Sequence, residues 1–157
     1  MAHSSDPTAL QPPTPGRSRN MAAIKRRDTK PEREIRSLLH GAGKRYRVDV
    51  RLDLDGVRPR PDILFTRAKV AVFVDGCFWH CCPEHGRQPG VNGQYWGPKL
   101  ERNVARDRAA DEALTAAGWT VVRVWEHEVP TEATWRIIRA LDTKSESAPP
   151  KLRPTSE

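Results

Sequence analysis

The three cysteines of this chain lie close together. Cys77, Cys81 and Cys82 fall within six residues of one another, in a segment that also carries His80 and His85. Clustered thiols in odd number, beside imidazoles, favour metal ligation over disulfide pairing in a reducing compartment. The segment therefore predicts a bound metal ion, with free thiols and no metal as the alternative.

Four side chains can be assembled into a tetrahedral zinc site: Cys77, Cys82, His85 and the distant His127. Cys81 could replace Cys82 in this set, and we prefer Cys82. Two sulfur and two nitrogen ligands leave zinc no open position, so the ion would be structural rather than catalytic. It would stabilise a loop that has little hydrophobic core of its own.

An acidic residue stands at the start of an apolar stretch. Asp62 precedes Ile-Leu-Phe, and a three-residue turn at 67–69 would pair it with Val74, close to Asp75. A carboxylate beside a backbone carbonyl offers the hard oxygen ligands that suit Mg²⁺, which keeps most of its waters and binds phosphate oxygens. Such an ion polarises a phosphodiester and activates water. The alternative is that Asp62 only ends a loop.

A histidine and two further acids complete the candidate site. His80 follows Val74 by six residues, and a neutral imidazole beside an activated water is a general base or acid. A fourth zinc ligand or an ordinary loop histidine is the alternative. Glu32, in the first turn of a predicted helix, and Asp107, within a later helix, are the remaining candidates, although each could be a solvated helix charge.

Aromatic residues flank these groups. Phe78 and Trp79 lie between the predicted zinc ligands, and Trp96 begins a predicted helix. Aromatic side chains on a rigid basic surface can insert between base pairs, and a mismatched pair costs less to open than a matched one. The three rings are therefore candidate wedges, with Phe78 and Trp96 as core residues being the alternative.

These side chains need a sheet that brings distant segments together. The predicted elements, in chain order, are a helix starting within 28–32 and ending near Gly41 or Gly43, strands at 46–51, 62–66 and 70–74, a helix over 94–117, a strand over 119–125 and a helix over 131–142. Strands joined by a crossover helix lie parallel, so Cys77 and His127 would emerge on one edge. The first six elements match the αβββαβ order of restriction-endonuclease-like nucleases, which predicts an α/β fold with a mixed central sheet flanked by helices.

Length and charge favour one DNA-binding domain. The chain has 157 residues, and we place a single domain at 17–142 between disordered tails at 1–16 and 143–157. Lys and Arg number 27 against 20 Asp and Glu, which favours a polyanionic partner. Residues 17–30 are predicted to be a basic arm that contacts DNA, with a plain solvated segment as the alternative.

The expected location is the cytoplasm. Apolar runs stay well short of the roughly 18 residues needed to span a bilayer. The first residues, MAHSSDPTALQPPTPG, lack the charged start and apolar stretch of a signal peptide.

Several blocks of the sequence carry a family resemblance. RSRNM, DTKPE, RPDILF, VFVDGCFWH, RNVARDR and GWTVVRVWEHE occur in this order over residues 17–129, and the chain resembles the very-short-patch-repair (Vsr) DNA mismatch endonucleases. The resemblance implies a zinc-stabilised, Mg²⁺-dependent enzyme that nicks one strand 5′ to the thymine of a T:G mismatch left by deamination of 5-methylcytosine. It further implies a monomer, nucleoid-associated when bound to double-stranded DNA, with mismatch-repair proteins as additional partners.

The resemblance also implies roles for individual residues. Asp62 and the carbonyl of Val74 would bind Mg²⁺, and His80 would move protons. Glu32 and Asp107 would support the site. The residues that would insert into or embrace the DNA are Phe78, Trp79, Trp96 and, on the basic arm, Met21.

The chain departs from the family pattern at two neighbouring positions. Asp75 stands where a histidine that assists catalysis is common, and Val74 stands where threonine is common. Asp75 could add a metal ligand or alter metal preference. Two other functions therefore stay open: a restriction-like nuclease with a different substrate, and a zinc-stabilised DNA-binding module that has lost catalysis.

Overall fold

The computed structural model describes residues 28–77, 79–85 and 93–146. The expectations for the N-terminal tail, for Met21 and most of the basic arm, for Phe78 and for residues 147–157 lie outside these ranges. The elements of the described residues are α1 (Lys30–Gly41), β1 (Arg47–Val48), β2 (Ile63–Phe65), β3 (Val70–Asp75), α2 (Gly93–Ala116), β4 (Thr120–Trp125) and α3 (Pro130–Glu146).

The strands form one sheet in the order β1-β2-β3-β4. The pairs β1–β2 and β2–β3 are antiparallel, whereas β3 and β4 are parallel. The parallel pair follows from the crossover through α2. This helix carries the chain from the end of β3 back to the side of the sheet where β3 begins, so β4 runs in the same direction as β3. The predicted α/β fold with a mixed sheet is therefore confirmed.

The sheet has a hydrophobic core on each face. On one face α1 and α3 bury Ile35, Leu39 and Ile137 against alternate sheet residues such as Val72. On the other face Leu114 of α2 packs on Leu64 and Ala71. Because side chains alternate along a strand, Phe73 and Asp75 follow Ala71 onto the α2 face. The strand alternation thus directs Asp75 towards α2.

The beginning of α1 agrees with the sequence signals. Thr29 is the N-cap, its hydroxyl accepts a hydrogen bond from the Glu32 N–H, and a proline lies in the first turn. The Glu32 carboxylate in turn accepts from the Asp28 N–H at 2.8 Å and from the Thr29 hydroxyl at 2.9 Å. This reciprocal arrangement is a variant of the capping box in which the carboxylate accepts from the N–H of the residue before the cap, and the Thr29 hydroxyl satisfies one of the backbone donors that a helix start leaves unpaired.

The predicted β2–β3 register is wrong by one residue. Ile63 pairs with Val72 and Phe65 with Val70, so the turn has four residues, 66–69, instead of three. Lys69 ends the turn in a left-handed conformation, with φ of 51°. Asp62 therefore does not pair with Val74 in the ladder, and its N–H donates to the Val72 carbonyl instead. Lysine rarely adopts the left-handed backbone conformation, so the apolar alternation of the sequence could not predict this turn.

Two element boundaries also differ from the expected ones. The predicted strand at 46–51 is limited to Arg47–Val48, both exposed, because Asp49 adopts a left-handed φ of 61° and binds Arg60 at 2.5 Å. At the other end, α3 continues to Glu146. Residues 143–146, which are predicted to belong to the disordered tail, are helical. Among the described residues, each helix is too short or too polar to cross a membrane.

Candidate active site and metal centre

Asp62 lies at the edge where β2 begins and β3 ends. Its N–H donates to the Val72 carbonyl at 3.0 Å, and its Oδ2 accepts a hydrogen bond from the Val74 N–H at 2.7 Å. The N–H and C=O of one strand residue point to the same side, so the Val74 carbonyl also faces the β2 side of β3. The expected neighbourhood of Asp62 and Val74 thus exists despite the shifted register.

The Asp62 carboxyl is electrostatically unfavourable in its ionised form. Its pKa is raised from 3.8 to about 6, mainly by burial; the charges of Glu32 and Asp75 act in the same direction, whereas the Val74 hydrogen bond lowers the pKa. A carboxylate that loses water and gains negative neighbours is stabilised by an added cation. The arrangement can therefore accept a positive ion at this edge.

His80 is held by an acid of α2. Its Nδ1 lies 2.5 Å from Asp107 Oδ2 and 3.7 Å from Asp75 Oδ1. Burial alone would lower the pKa of His80, but the Asp107 hydrogen bond and the charge of Asp75 outweigh burial and raise it. When Asp107 accepts the Nδ1 proton of a neutral imidazole, Nε2 is left as the basic nitrogen. The pair can therefore take up and return a proton.

Asp62 and His80 lie at the same edge of the sheet. Asp62 accepts a hydrogen bond from the Val74 N–H near the end of β3, and His80 Nδ1 lies 3.7 Å from Asp75, the last residue of β3. The charge of Asp75 also contributes to the raised pKa of Asp62. The predicted acid and the predicted histidine are therefore both neighbours of the end of β3.

Two residues of this site were missed by sequence reasoning. Arg123 of β4 places Nη1 2.9 and 2.8 Å from the two oxygens of Asp75. The same guanidinium binds Asp111 of α2 through Nε and Nη2, at 2.9 and 2.8 Å. The available signal was an arginine inside the apolar strand Thr120–Trp125, because a charge that is largely buried requires a partner.

Glu32 has a structural task beside the site. Its side chain is buried and engaged in the capping box described above. Its charge also contributes to the raised pKa of Asp62. Glu32 therefore stabilises the start of α1 through its hydrogen bonds and acts on Asp62 through its charge.

The predicted metal ligands converge. Ligand atoms of Cys77, Cys82, His85 and His127 all lie within 4.8 Å of one another. Cys77 Sγ is 3.0 Å from His127 Nδ1, and Cys82 Sγ is 3.7 Å from the same atom. Cys82 is buried whereas Cys81 is exposed, so the structure places Cys82 in the group. The parallel β3–β4 pair produces this convergence of segments that are 50 residues apart.

The donor set fits a tetrahedral metal. Metal–sulfur and metal–nitrogen bonds of about 2.3 and 2.0 Å give ligand separations of about 3.5 Å. His127 presents Nδ1 to the sulfurs and Nε2 to Glu84 at 3.4 Å, as carboxylates commonly orient ligating histidines. Burial raises the pKa of Cys77 to about 11, with Cys82 and Glu126 adding to the effect. A cation among these groups would therefore hold the sulfurs as thiolates. The cluster can bind a metal.

Two of the predicted wedge residues contact each other. The ring centroids of Trp79 and Trp96 are 6.0 Å apart in an edge-on arrangement. The Lys99 ammonium lies 5.2 Å from the centre of the Trp96 ring, and Asn103 donates to the Trp79 carbonyl at 3.3 Å. Both rings are partly exposed. The cysteine-rich loop and α2 therefore present a joined aromatic surface beside a positive charge.

Comparison with known proteins agrees with this chemistry. A family model described as "DNA mismatch endonuclease Vsr" matches residues 13–84. The type II nicking enzyme V.NaeI of Lentzea aerocolonigenes is 56% identical over 141 residues, covering 89% of this chain and 84% of that protein. V.XorIIP of Xanthomonas oryzae pv. oryzae, also a type II nicking enzyme, is 43% identical over 112 residues, or 69% and 78% of the two chains.

A third relative carries the family name. The DNA mismatch endonuclease Vsr of Escherichia coli K12 is 38% identical over 115 residues, covering 70% of this chain and 69% of that protein. The fold, the site and these relatives define the class of DNA endonucleases, a group of hydrolases. Within that class, the chain belongs to the Vsr family.

Proposed function

We propose that this protein nicks one strand of double-stranded DNA 5′ to the thymine of a T:G mismatch, the product of 5-methylcytosine deamination, and so starts very short patch repair. The observation that carries the proposal is the His80–Asp107 pair at the same edge of the sheet as Asp62. The names of the relatives, nicking enzyme and mismatch endonuclease, support the reaction and the substrate.

Asp62 and the Val74 carbonyl would hold Mg²⁺. Two protein oxygens suit an ion that keeps several waters and takes its other ligands from phosphate. The ion would supply charge stabilisation to the scissile phosphate and acidity to a water. Asp62 contributes a fixed negative oxygen, held in place by the Val74 N–H.

His80 would carry the proton transfers of the reaction. With its Nδ1 proton donated to Asp107, its Nε2 accepts a proton from the attacking water. Asp107 keeps the ring in that tautomer and stabilises the imidazolium that forms, the same division of labour as in other acid–histidine pairs. Glu32 and Asp75 supply negative charge around these groups.

Zinc is the metal we propose for the cysteine and histidine cluster. Cys77, Cys82, His85 and His127 are two thiols and two imidazoles, a set typical of closed structural zinc sites. The ion would fix the loop that carries Trp79 and His80. It would thereby position both the aromatic surface and the proton-transfer group.

The aromatic surface would open the mismatch. Trp79, Trp96 and Phe78 would insert beside the T:G pair, and Met21 with the basic arm of residues 17–30 would hold the duplex from the minor-groove side. Insertion costs a few kcal/mol of unstacking, and a mismatched pair lowers that cost. We expect a cytoplasmic monomer, nucleoid-associated on DNA, with mismatch-repair proteins as further partners.

Nicking of matched substrates tests the proposal. Labelled duplexes that differ only in a T:G or a C:G pair would be incubated with the protein and Mg²⁺, beside Asp62→Ala and His80→Ala. We expect a single nick 5′ to the mismatched thymine by the wild type and less than about 1% of that rate by either variant. Equal cleavage of the paired duplex would indicate a restriction-like nuclease. Binding without cleavage would indicate a DNA-binding module.

A further inference from the structure

All three nitrogens of the Arg123 guanidinium contact internal acceptors. Nη1 lies within hydrogen-bond distance of both oxygens of Asp75, and Nε and Nη2 donate to Asp111. Nη2 also reaches the Asp107 carbonyl at 3.3 Å. The guanidinium is therefore held by groups of β3 and α2.

The same contacts commit Asp75. The Asp75 side chain is 6% exposed, and both of its oxygens lie within 3 Å of the guanidinium. A divalent ion bound to those oxygens would have to displace the guanidinium, or it would lie next to the guanidinium and be repelled by its positive charge. Asp75 is therefore an ion-pair partner of Arg123 in this fold rather than an additional metal ligand.

Arg123 also joins the two acids that face His80. It pairs with Asp75 on β3 and hydrogen-bonds the backbone of Asp107 on α2. The Asp111 carboxylate, one helical turn beyond Asp107, fixes the guanidinium to α2 a second time. The Phe73 ring, opposite Arg123 in the sheet, supports the guanidinium at 4.6 Å from its centre.

Removing the Arg123 side chain would therefore release both Asp75 and Asp107 from their positions beside His80. Asp75 Oδ1 stands 3.7 Å and Asp107 Oδ2 stands 2.5 Å from His80 Nδ1. Both acids are fixed relative to each other through one planar group. Misplacement of a catalytic group by about 1 Å can cost about 100-fold in rate.

We propose that Arg123 is a positioning residue of the nicking reaction: its fork ties β3 to α2 and sets the carboxylate of Asp107 against His80. The proposal rests on the proposed function, because it assumes that His80 moves protons in that reaction. It assigns a role to a strand residue that acts through the acids of β3 and α2.

The test must separate positioning from stability. Arg123→Met alone would leave Asp75 buried without a counter-charge, which is strongly destabilising. The main variant is therefore Arg123→Met combined with Asp75→Asn, in which a neutral amide replaces the buried charge. The matched control is Lys44→Met with Asp142→Asn, which removes an ion pair 3.5 Å long on the opposite, α1–α3 side of the sheet.

The expected result is a folded but slow enzyme. We expect the Arg123→Met/Asp75→Asn protein to melt cooperatively and to bind the T:G duplex as tightly as the wild type. Its single-turnover nicking rate should fall about 10- to 100-fold, whereas the control pair should nick at the wild-type rate. A wild-type rate in the stable Arg123 double variant would overturn the proposal.

A second variant covers the case in which the double variant does not fold. Arg123→Lys keeps a positive charge for Asp75 but lacks the planar fork that reaches α2 as well. We expect the same loss of rate with unchanged duplex affinity. Nicking by Arg123→Lys at the wild-type rate would show that charge alone is sufficient and would overturn the role of the fork.

A spectroscopic readout keeps this test independent of the proposed function. The His80 Nδ1 proton shared with Asp107 should give a downfield imidazole resonance in nitrogen-15-labelled protein, assigned through its absence in His80→Ala. We expect the resonance in the wild type and its loss in either Arg123 variant. If the wild type nicked no duplex, the proposed function would fail, while persistence of the resonance in the variants would separately overturn the positioning role.

Discussion

Asp62→Asn should make the protein more stable while destroying its activity. The ionised Asp62 carboxylate is penalised in the fold by burial and by the charges of Glu32 and Asp75, which together raise its pKa to about 6. Asparagine removes the charge but keeps an oxygen that can accept the Val74 N–H. The substitution therefore relieves an electrostatic cost without removing the local hydrogen bond.

The magnitude follows from the pKa of the two states. A carboxyl that titrates at 3.8 when unfolded and at about 6 when folded loses about 3 kcal/mol of stability once it is fully ionised, at about 1.4 kcal/mol per tenfold change. Because the folded pKa is the higher one, stability is complete below pH 3.8 and is lost as pH rises through about 6. About half of the cost is already present at pH 5.

Thermal unfolding would measure this effect. The wild type and Asp62→Asn would be melted at pH 5 and pH 8, without added Mg²⁺ and without a chelator that could remove zinc. We expect the variant to be more stable by about 1–3 kcal/mol at pH 8, or roughly 4–10 °C in Tm, and by about half as much at pH 5. Asp53→Asn, at a carboxylate that is 77% exposed, is the matched control and should change little.

Added Mg²⁺ provides the complementary observation. It should raise the Tm of the wild type at pH 8 by neutralising Asp62, and it should leave Asp62→Asn nearly unchanged. A variant that is folded yet no more stable than the wild type at pH 8 would refute the reasoning, because it would mean that the ionised carboxylate carries no penalty in the metal-free protein.

Three further outcomes are expected. His80→Ala should reduce nicking by about 100-fold or more with unchanged affinity in gel-shift assays, and full turnover would remove His80 from the mechanism. Elemental analysis should find about one zinc per chain, lost together with the fold in Cys77→Ser but retained in Cys81→Ser; protein purified without zinc would contradict the loop assignment. Trp79→Ala should lower affinity for T:G duplexes by about 1–3 kcal/mol while fully paired duplexes bind almost as before, and an equal loss on both would argue against a wedge.

Local signals in the sequence were sufficient for most of the elements and for the convergence of the cysteines and histidines. Thr29 and the proline after it marked the start of α1, and the apolar run at 70–74 marked β3, within one residue of the observed ends. The crossover rule then brought Cys77 and His127 together, because parallel strands end on one edge. These inferences succeeded since each depends on neighbouring residues or on the order of elements.

The register and the ion pairs needed three-dimensional information. A four-residue turn closed by a left-handed Lys69 cannot be distinguished from a three-residue turn by apolar alternation alone. Arg123 signalled that a buried partner exists, but Asp75 and Asp111 are 48 and 12 residues away. Many acids of this chain could have satisfied that requirement, and only packing selects among them.

The two buried acids at this edge differ in the counter-charge that the protein supplies to each carboxylate. Asp75 receives a guanidinium on both oxygens. Asp62 receives one backbone N–H, and the nearest arginine named in its electrostatics, Arg36, is bound to Asp28 at 2.5 Å. Burial raises the pKa of both acids, but only Asp75 has its counter-charge supplied by the protein. The uncompensated carboxylate is therefore the one that gains most from a divalent ion, which is the physical reason why we propose Asp62 as the metal ligand although Asp75 lies 3.7 Å from His80.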